Sequence, residues 1–360
     1  MHVNRATEKI NIIVTAKMGN GTIQAKLEPL SRIEKIRTIY FLRKAKGPDI
    51  PKVQYIILPS ICRVKLFHLI LAPLYLIYYS YRYNVSYIFS YHIIPYAFFA
   101  SVASFICRKP YFVCQTGLLI QKKAENFLFW LILKRVLLRA RKLCVPGYYS
   151  RNFWEKMGIP LSKVLILHST INTDKYQPVP SMEKTYDFIY VGRVSWEKRL
   201  DFLIKSFVSV VKTHPLAKLL IVGDGPLLTN MKNLVDSLNL NNNIYFVGYQ
   251  FDVHAWLNKS KYIVLTSETE GLPCSIMEGM SAGLVPLTTN VGNLSDAVID
   301  GVTGYLVEKD DLEGFAGKMR MLLTKDSKET KLMRVKAREK IIENHSYNYA
   351  THQWAELLGL

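Results

Sequence analysis

The sequence predicts an α/β protein built from two tandem, doubly wound domains, and three observations carry that expectation. Short apolar runs alternate with helix-like stretches along all 360 residues, the pattern of a parallel sheet covered on both faces. A polar stretch, Asn172–Thr185, contains Pro178 and Pro180 and divides the alternation into two series. The length suits two domains of ordinary size, and 49% apolar residues supply two cores.

The first series opens with a strand at Ile10–Ala16, followed by Gly19-Asn20-Gly21 and a helical segment near Gln24–Ile33. Further strands are expected at Thr38–Leu42, Gln54–Leu58, Val85–Ser90, Tyr111–Cys114, Lys142–Val145 and Val164–His168. After the break come Asp187–Val191, Lys218–Val222, Asn243–Val247, Tyr262–Thr266, Val285–Thr288 and Gly304–Val307, again with helices between. The expected domains are 1–175 and 186–340, with a helix over 341–360 returning to the first. A polar interruption at Asn344–Asn348 suggests a kink in the last helical region.

The net charge of +19 is distributed unevenly. Residues 1–180 hold 27 Lys and Arg against 7 Asp and Glu, and between Asp49 and Glu125 there is no acid. Residues 181–360 hold 20 against 21. A basic surface of this size attracts polyanions. Its mixture with aromatic and aliphatic stretches suits an anionic membrane surface better than nucleic acid, whose phosphates call for no Phe, Leu or Ile beside the Lys. Leu66–Tyr81 and Tyr83–Cys107 carry little or no charge. The second is long enough to span a bilayer, but Asn84, His92 and Pro95 interrupt it, and it divides into a buried strand and a helix. A helix lying on the surface is the better expectation. Candidates are Arg63–Arg82 and Lys122–Lys142, the latter with Phe127, Phe129, Trp130 and Leu131 among seven basic residues. A core helix with a solvated basic face explains Lys122–Lys142 equally well.

Five cysteines without a CxxC spacing argue against a disulfide framework or a structural zinc site, and for reduced thiols in a cytoplasmic protein. Met1–Lys9 is polar and lacks the apolar core of a signal peptide.

In open α/β sheets ligands bind beyond the carboxyl ends of the strands. After Asp187–Val191 come Gly192 and two cations, Arg193 and Lys198. An arginine fork and a lysine point charge in one loop suit a diphosphate, although a plain basic loop would look the same. Gly223-Asp224-Gly225 and Gly248-Tyr249 follow the next two strands, and each alone says little. The stronger element is Ser267-Glu268-Thr269-Glu270-Gly271-Leu272-Pro273-Cys274-Ser275-Ile276-Met277-Glu278-Gly279, with seven residues between Glu270 and Glu278. Glu270 falls in a loop and Glu278 in the helix after Pro273. The N–H groups at that helix start suit an anion, and a carboxylate beside them needs donors such as sugar hydroxyls. A helix-capping role for Glu270 is the simpler alternative.

Taken together, GRVSWEK at 192–198, VGDGP at 222–226, the Glu270–Glu278 element, the turn at Val291-Gly292 and VIDGVTGYLV at 298–307 resemble the retaining glycosyltransferase family 4, of the two-domain GT-B fold. The resemblance implies Rossmann-like domains facing across a cleft. It implies that Arg193 and Lys198 hold the donor diphosphate, that Glu270 touches the donor sugar and that Glu278 binds ribose. It further implies that Cys274, Ser275 and Ile276 offer backbone N–H groups beside Gly271 and Leu272, that Gly192 turns the loop, and that Gly248 and Tyr249 border the base. Gly19 and Gly21 match the family's glycine loop. Many members carry a histidine after a later strand of the first domain. Here PYFVCQTGL places Thr116 at that position, a variant that resembles bacterial surface-polysaccharide enzymes, and His92 is the nearest alternative. No metal and no cofactor are implied.

The implied activity is transfer of a sugar from a UDP- or GDP-sugar to a lipid-linked, polyprenyl-diphosphate glycan, by a protein peripheral to the inner face of the plasma membrane. A nucleotide-sugar epimerase of the same fold and a noncatalytic scaffold of a polysaccharide assembly complex are the alternatives.

Overall fold

The computed structural model describes residues 9–118, 126–324 and 328–360. The chain divides into two compact units, Met1–Ser169 with Tyr347–Leu360, and Thr170–Ser346.

The first unit contains β1 (Ile10–Thr15), α1 (Asn20–Ser31), β2 (Ile36–Arg43), β3 (Val53–Ile57), α2 (Lys65–Arg82), β4 (Tyr87–Tyr91), α3 (Tyr96–Cys107), β5 (Tyr111–Cys114), α4 (Phe127–Arg139), β6 (Lys142–Val145), α5 (Tyr148–Lys156) and β7 (Val164–Ile166). Its sheet has the order β3-β2-β1-β4-β5-β6-β7, and every pairing is parallel. The winding direction reverses between β1 and β4. Central strands are covered on both faces, which is why their sequences read as unbroken apolar runs. Ile13, Val113 and Leu143 pack with Trp130 and Trp154 on one face, whereas Ile12, Val14, Phe89 and Phe112 form the core on the other.

The second unit contains β8 (Tyr186–Val191), α6 (Leu200–Thr213), β9 (Leu219–Val222), α7 (Leu228–Ser237), β10 (Ile244–Phe246), α8 (His254–Asn258), β11 (Ser260–Leu265), α9 (Cys274–Ser281), β12 (Val285–Thr289), β13 (Tyr305–Val307), α10 (Leu312–Thr324) and α11 (Lys328–His345). Its sheet is also all parallel, in the order β10-β9-β8-β11-β12-β13, and reverses between β8 and β11. The last helix, α12 (Tyr347–Leu358), packs on α1 in the first unit, where the Trp354 ring meets Phe89 at 5.2 Å.

Small departures from the expected spans have local causes. The strand expected at Val85–Ser90 runs over Tyr87–Tyr91, because the Val85 N–H donates to Ser80 O and closes the end of α2. The first helix starts at Asn20, directly after its Gly19 cap, and ends at Ser31. The expected interruption at Asn344–Asn348 is a break between α11 and α12, with Ser346 bridged to Ile171.

No helix among the described residues is long and apolar enough to cross a membrane. Apolar side chains nonetheless face solvent on three neighbouring helices. Leu66, Ile70 and Leu74 of α2, Phe105 and Ile106 of α3, and Phe127, Leu128 and Ile132 of α4 are all exposed. The Tyr81 hydroxyl donates to Ile106 O at 2.9 Å, joining α2 to α3, and the Arg139 guanidinium sits 5.1 Å from the Phe105 ring, joining α3 to α4. Arg63, Lys65, Arg82, Arg108 and Arg135 are exposed around them, and none of the three helices contains an acid. Residues 119–125, and with them the start of the expected Lys122–Lys142 helix, lie outside the described residues, as does most of Met1–Lys9.

Candidate active site

The sheet of the second unit places its functional loops at the reversal between β8 and β11, where a doubly wound sheet opens a crevice. Three loops there lock by backbone contact. Gly192 N donates to Val222 O at 3.0 Å, Val194 N to Asp224 O at 2.9 Å and Gly223 N to Gly248 O at 2.8 Å. Gly223 has φ 152°, and a Cβ built there would lie 1.8 Å from Gly192 O. Only glycine fits such an approach. These loops border a cavity of about 350 Å³ lined by Gly192, Arg193, Gly223, Asp224, Tyr249 and Gln250. The Tyr249 ring is 71% exposed, so it is free to meet a ligand.

Lys198 and Glu270 come together. Lys198 Nζ donates to Glu270 Oε1, which also accepts from Ser267 Oγ at 2.7 Å. Glu270 is 9% exposed, so its charge depends on these partners. The Lys198 charge, read in the sequence as turned toward a diphosphate, is shared with the carboxylate read as a sugar contact. Arg193 is exposed, with Nη2 only 3.0 Å from Glu197 Oε1. That contact is solvated and yields readily to a stronger anion.

A second ionic group secures the rim. Arg199 reaches Glu268 at 3.1 Å and Asp310 at 2.7 Å, and Lys309 also pairs with Glu268. Glu268 N donates to Glu197 O at 2.8 Å, and Asn293 N to Gly271 O at 3.0 Å. The loops after β8, β11, β12 and β13 are therefore one connected frame. Sequence reading placed Ser267 and Glu268 in the element after β11 without giving them a role, and it missed Arg199 and Asp310. Their position at strand exits was the available signal, but their pairing spans up to 111 residues.

Pro273 starts α9 and no side chain caps it, so the helix presents its backbone N–H end at Cys274, Ser275 and Ile276. Leu272 beneath is buried. Glu278 lies on α9. Burial pushes its carboxyl up to about 7, against the opposing pull of the Tyr176 hydroxyl and Lys175, while Asp252 adds to the rise. The native carboxyl thus keeps its proton at pH values where an unfolded chain has lost it. Its contribution to stability is full below about pH 4.5 and disappears as pH rises through about 7, an effect of up to about 3 kcal/mol. Glu278→Gln is expected to lose less melting temperature than the wild type between pH 5 and pH 8. Equal losses in the two proteins would show that Glu278 is not held neutral. Tyr176, which lies in the segment after the unit boundary, was not singled out in the sequence.

In the first unit, Gly19 caps α1 in an extended conformation, Gly21 falls in the first turn, and that turn has neither a side-chain cap nor an acid. His92 directly follows β4, at the reversal of this sheet. It has φ 75°, unusual for a residue other than glycine and a mark of a constrained site. Its Nδ1 lies 3.0 Å from Tyr91 O, and burial lowers its pKa. Thr116 follows β5 and is half-buried, in a loop fixed by Gln115, whose Oε1 accepts from Trp154 Nε1 at 2.7 Å. The sequence-derived candidates thus fall into two sets, Arg193, Lys198, Glu270 and Glu278 in one unit and Gly19, Gly21, His92 and Thr116 in the other. Among the described residues no three His, Cys, Asp or Glu side chains gather as a metal site.

Residues 172–345 match the family described as glycosyl transferases group 1. An uncharacterised glycosyltransferase of Methanocaldococcus jannaschii is 35% identical over 139 residues, 36% of this chain and 34% of its own. The UDP-Gal:alpha-D-GlcNAc-diphosphoundecaprenol alpha-1,3-galactosyltransferase of Escherichia coli is 22% identical over 227 residues, 59% of this chain and 58% of its own. The matches thus span between about a third and three-fifths of those relatives. The crystal structure of Anabaena HepE in complex with UDP superposes with a TM-score of 0.82 at 17% identity, over 97% of this chain and 100% of that one, a likeness of fold. Both units are Rossmann-like α/β domains of the kind found in GT-B glycosyltransferases, and it is the second of them, through residues 172–345, that is similar to the group 1 glycosyl transferases.

Proposed function

We propose that the chain transfers a sugar, with retention at the anomeric carbon, from a UDP- or GDP-sugar to a glycan on a polyprenyl diphosphate carrier, at the inner face of the plasma membrane during synthesis of bacterial surface polysaccharide. The observation that carries this reading is the pairing of Lys198 with buried Glu270, which precedes the uncapped start of α9 in the chain, with Arg193 exposed in the loop that also bears Lys198. Arg193 and Lys198 take the donor diphosphate and offset the charge on the leaving group without a metal. The N–H groups of Cys274–Ile276 add to that cradle. Glu270 accepts from donor-sugar hydroxyls and Glu278 from the ribose, while Gly248 and Tyr249 border the base. Thr116 and His92 are the first-unit candidates to approach the reacting carbon.

The acceptor reading draws on the apolar, basic face of α2, α3 and α4. A carrier lipid has an anionic head and an apolar tail, and each basic residue near an anionic leaflet contributes roughly 1 kcal/mol. The name of the Escherichia coli relative, with its diphosphoundecaprenol acceptor, fits the same chemistry.

Incubation with radiolabelled UDP- and GDP-sugars and a bacterial lipid extract should carry label into the organic phase. An isomerised sugar formed without acceptor would favour an epimerase, and absence of any thermal shift with UDP and GDP would remove the donor site. The chain should co-sediment with anionic vesicles at low salt, and Phe105→Glu should reduce the bound fraction severalfold. Sedimentation that is absent, or unaltered by Phe105→Glu, would remove the membrane face.

A further inference from the structure

The protein has five tryptophans, and four of them lie in or against a core. Trp154 is fully buried and donates its indole N–H to Gln115 at 2.7 Å. Trp130 and Trp354 also fill the first unit, and Trp256 packs against the core of the second. Trp196 is the exception, with 63% of its surface in water. Among the described residues its ring meets no other ring or cation, and its indole N–H has no acceptor.

The ring is exposed on a fixed backbone. Ser195 N donates to Arg193 O at 3.2 Å, Lys198 N to Ser195 O at 3.0 Å and Arg199 N to Trp196 O at 3.2 Å. From the loop after β11, Glu268 N donates to Glu197 O at 2.8 Å and Thr266 Oγ1 to Arg199 O at 3.0 Å. A large ring with two rotatable bonds, carried on such a backbone, loses little entropy when a ligand covers it.

The place of Trp196 limits what that ligand is. It stands in the chain between Arg193 and Lys198, the two cations read as taking the donor diphosphate. The cavity that Arg193 shares with Tyr249 is not lined by Trp196, so the region of the base does not reach the ring. Glu270, read as the donor-sugar contact, is 9% exposed and paired with Lys198. The donor groups are thus withdrawn, whereas the indole stands out from the same loop. An indole face carries a negative π cloud, which suits the C–H face of a pyranose ring, and the free N–H suits a sugar hydroxyl.

We propose that Trp196 is an acceptor-binding residue, whose indole stacks on the sugar ring of the glycan that receives the transferred group. The proposal rests on the glycosyltransferase reading above and adds a residue through which the second substrate is held beside the donor diphosphate.

The test uses the full chain and has two arms. Saturation-transfer NMR, without nucleotide, with methyl α-glucoside, methyl α-galactoside and methyl N-acetyl-α-glucosaminide should show transfer to the C–H protons of at least one. The signal should vanish in Trp196→Ala, persist in Trp196→Phe and be unchanged in Leu216→Ala, which removes an even more exposed apolar group from the same unit. In the transfer assay with lipid extract, Trp196→Ala should raise the acceptor concentration for half-maximal rate about tenfold, and Trp196→Phe should restore most of it. KM for the nucleotide sugar and the thermal shift with UDP should stay as in the wild type. Glycoside signals that are absent, or equal in wild type and Trp196→Ala, overturn the proposal. So does a Trp196→Ala variant that raises KM for the nucleotide sugar or leaves the acceptor response unaltered. Failure of the wild-type chain to transfer at all would instead remove the glycosyltransferase reading, and the glycoside arm would still decide whether Trp196 holds a sugar.

Discussion

Lys198→Ala is expected to lower kcat/KM for the nucleotide sugar roughly 100-fold and to reduce the unfolding free energy by about 2–4 kcal/mol. The two losses have different origins. The catalytic one follows from removing a charge-assisted contact to the leaving diphosphate, each such contact contributing about 1.5–3 kcal/mol. The stability loss arises because Glu270, almost wholly buried, keeps only Ser267 as a side-chain donor among the described residues once the ammonium is gone. The double variant Lys198→Ala/Glu270→Ala should recover much of the stability, since it leaves no buried charge unpaired. It should recover none of the activity. Urea unfolding and steady-state rates on the four proteins of the cycle check both parts. Wild-type rates in Lys198→Ala would sink the donor-site assignment, whereas additive stabilities would show that the ion pair does not couple the two loops.

Gly223→Ala is expected to cost more than about 4 kcal/mol and to yield little folded protein. The obstacle is backbone, not a side chain that can rotate away. The added Cβ would lie 1.8 Å from Gly192 O, and relief would require separating the loops after β8 and β9. Gly248→Ala is the natural comparison, because that glycine also has positive φ, 67°, but faces open space. Its cost should be about 1 kcal/mol, the ordinary penalty of the left-handed region. A melting temperature for Gly223→Ala within two or three degrees of wild type would mean that the loops do not lock as described.

The strands were legible because a sheet buried on both faces demands runs such as Phe188–Val191 and Tyr262–Leu265, which periodicity alone exposes. Strand exits were legible for a related reason. A chain leaving such a run into Gly192-Arg193 has changed solvent and chemistry within two residues, and Glu270-Gly271 follow within six residues of Leu265. Pairings across the unit were not legible. Arg199 meets Asp310 only because crossovers return distant segments to one edge of the sheet. Tyr176 is the clearest case, since nothing in a polar stretch with prolines signals that its hydroxyl will face Glu278. The start of β4 was misplaced by two residues because Val85 is as buried as a strand residue while its N–H serves the end of α2.

The placement of Trp354 bears on the order in which the protein is made. Its indole completes the core between α1 and the first sheet, yet it lies 185 residues beyond Ser169, where the rest of that unit ends. As the chain leaves the ribosome, the second unit has all its residues before the first acquires its final helix. Until then the surface that α12 will cover, including Phe89 and Leu27, lacks its partner. The first half to be translated is therefore finished after the second, and the nascent chain must be kept from aggregating through that face until α12 has emerged.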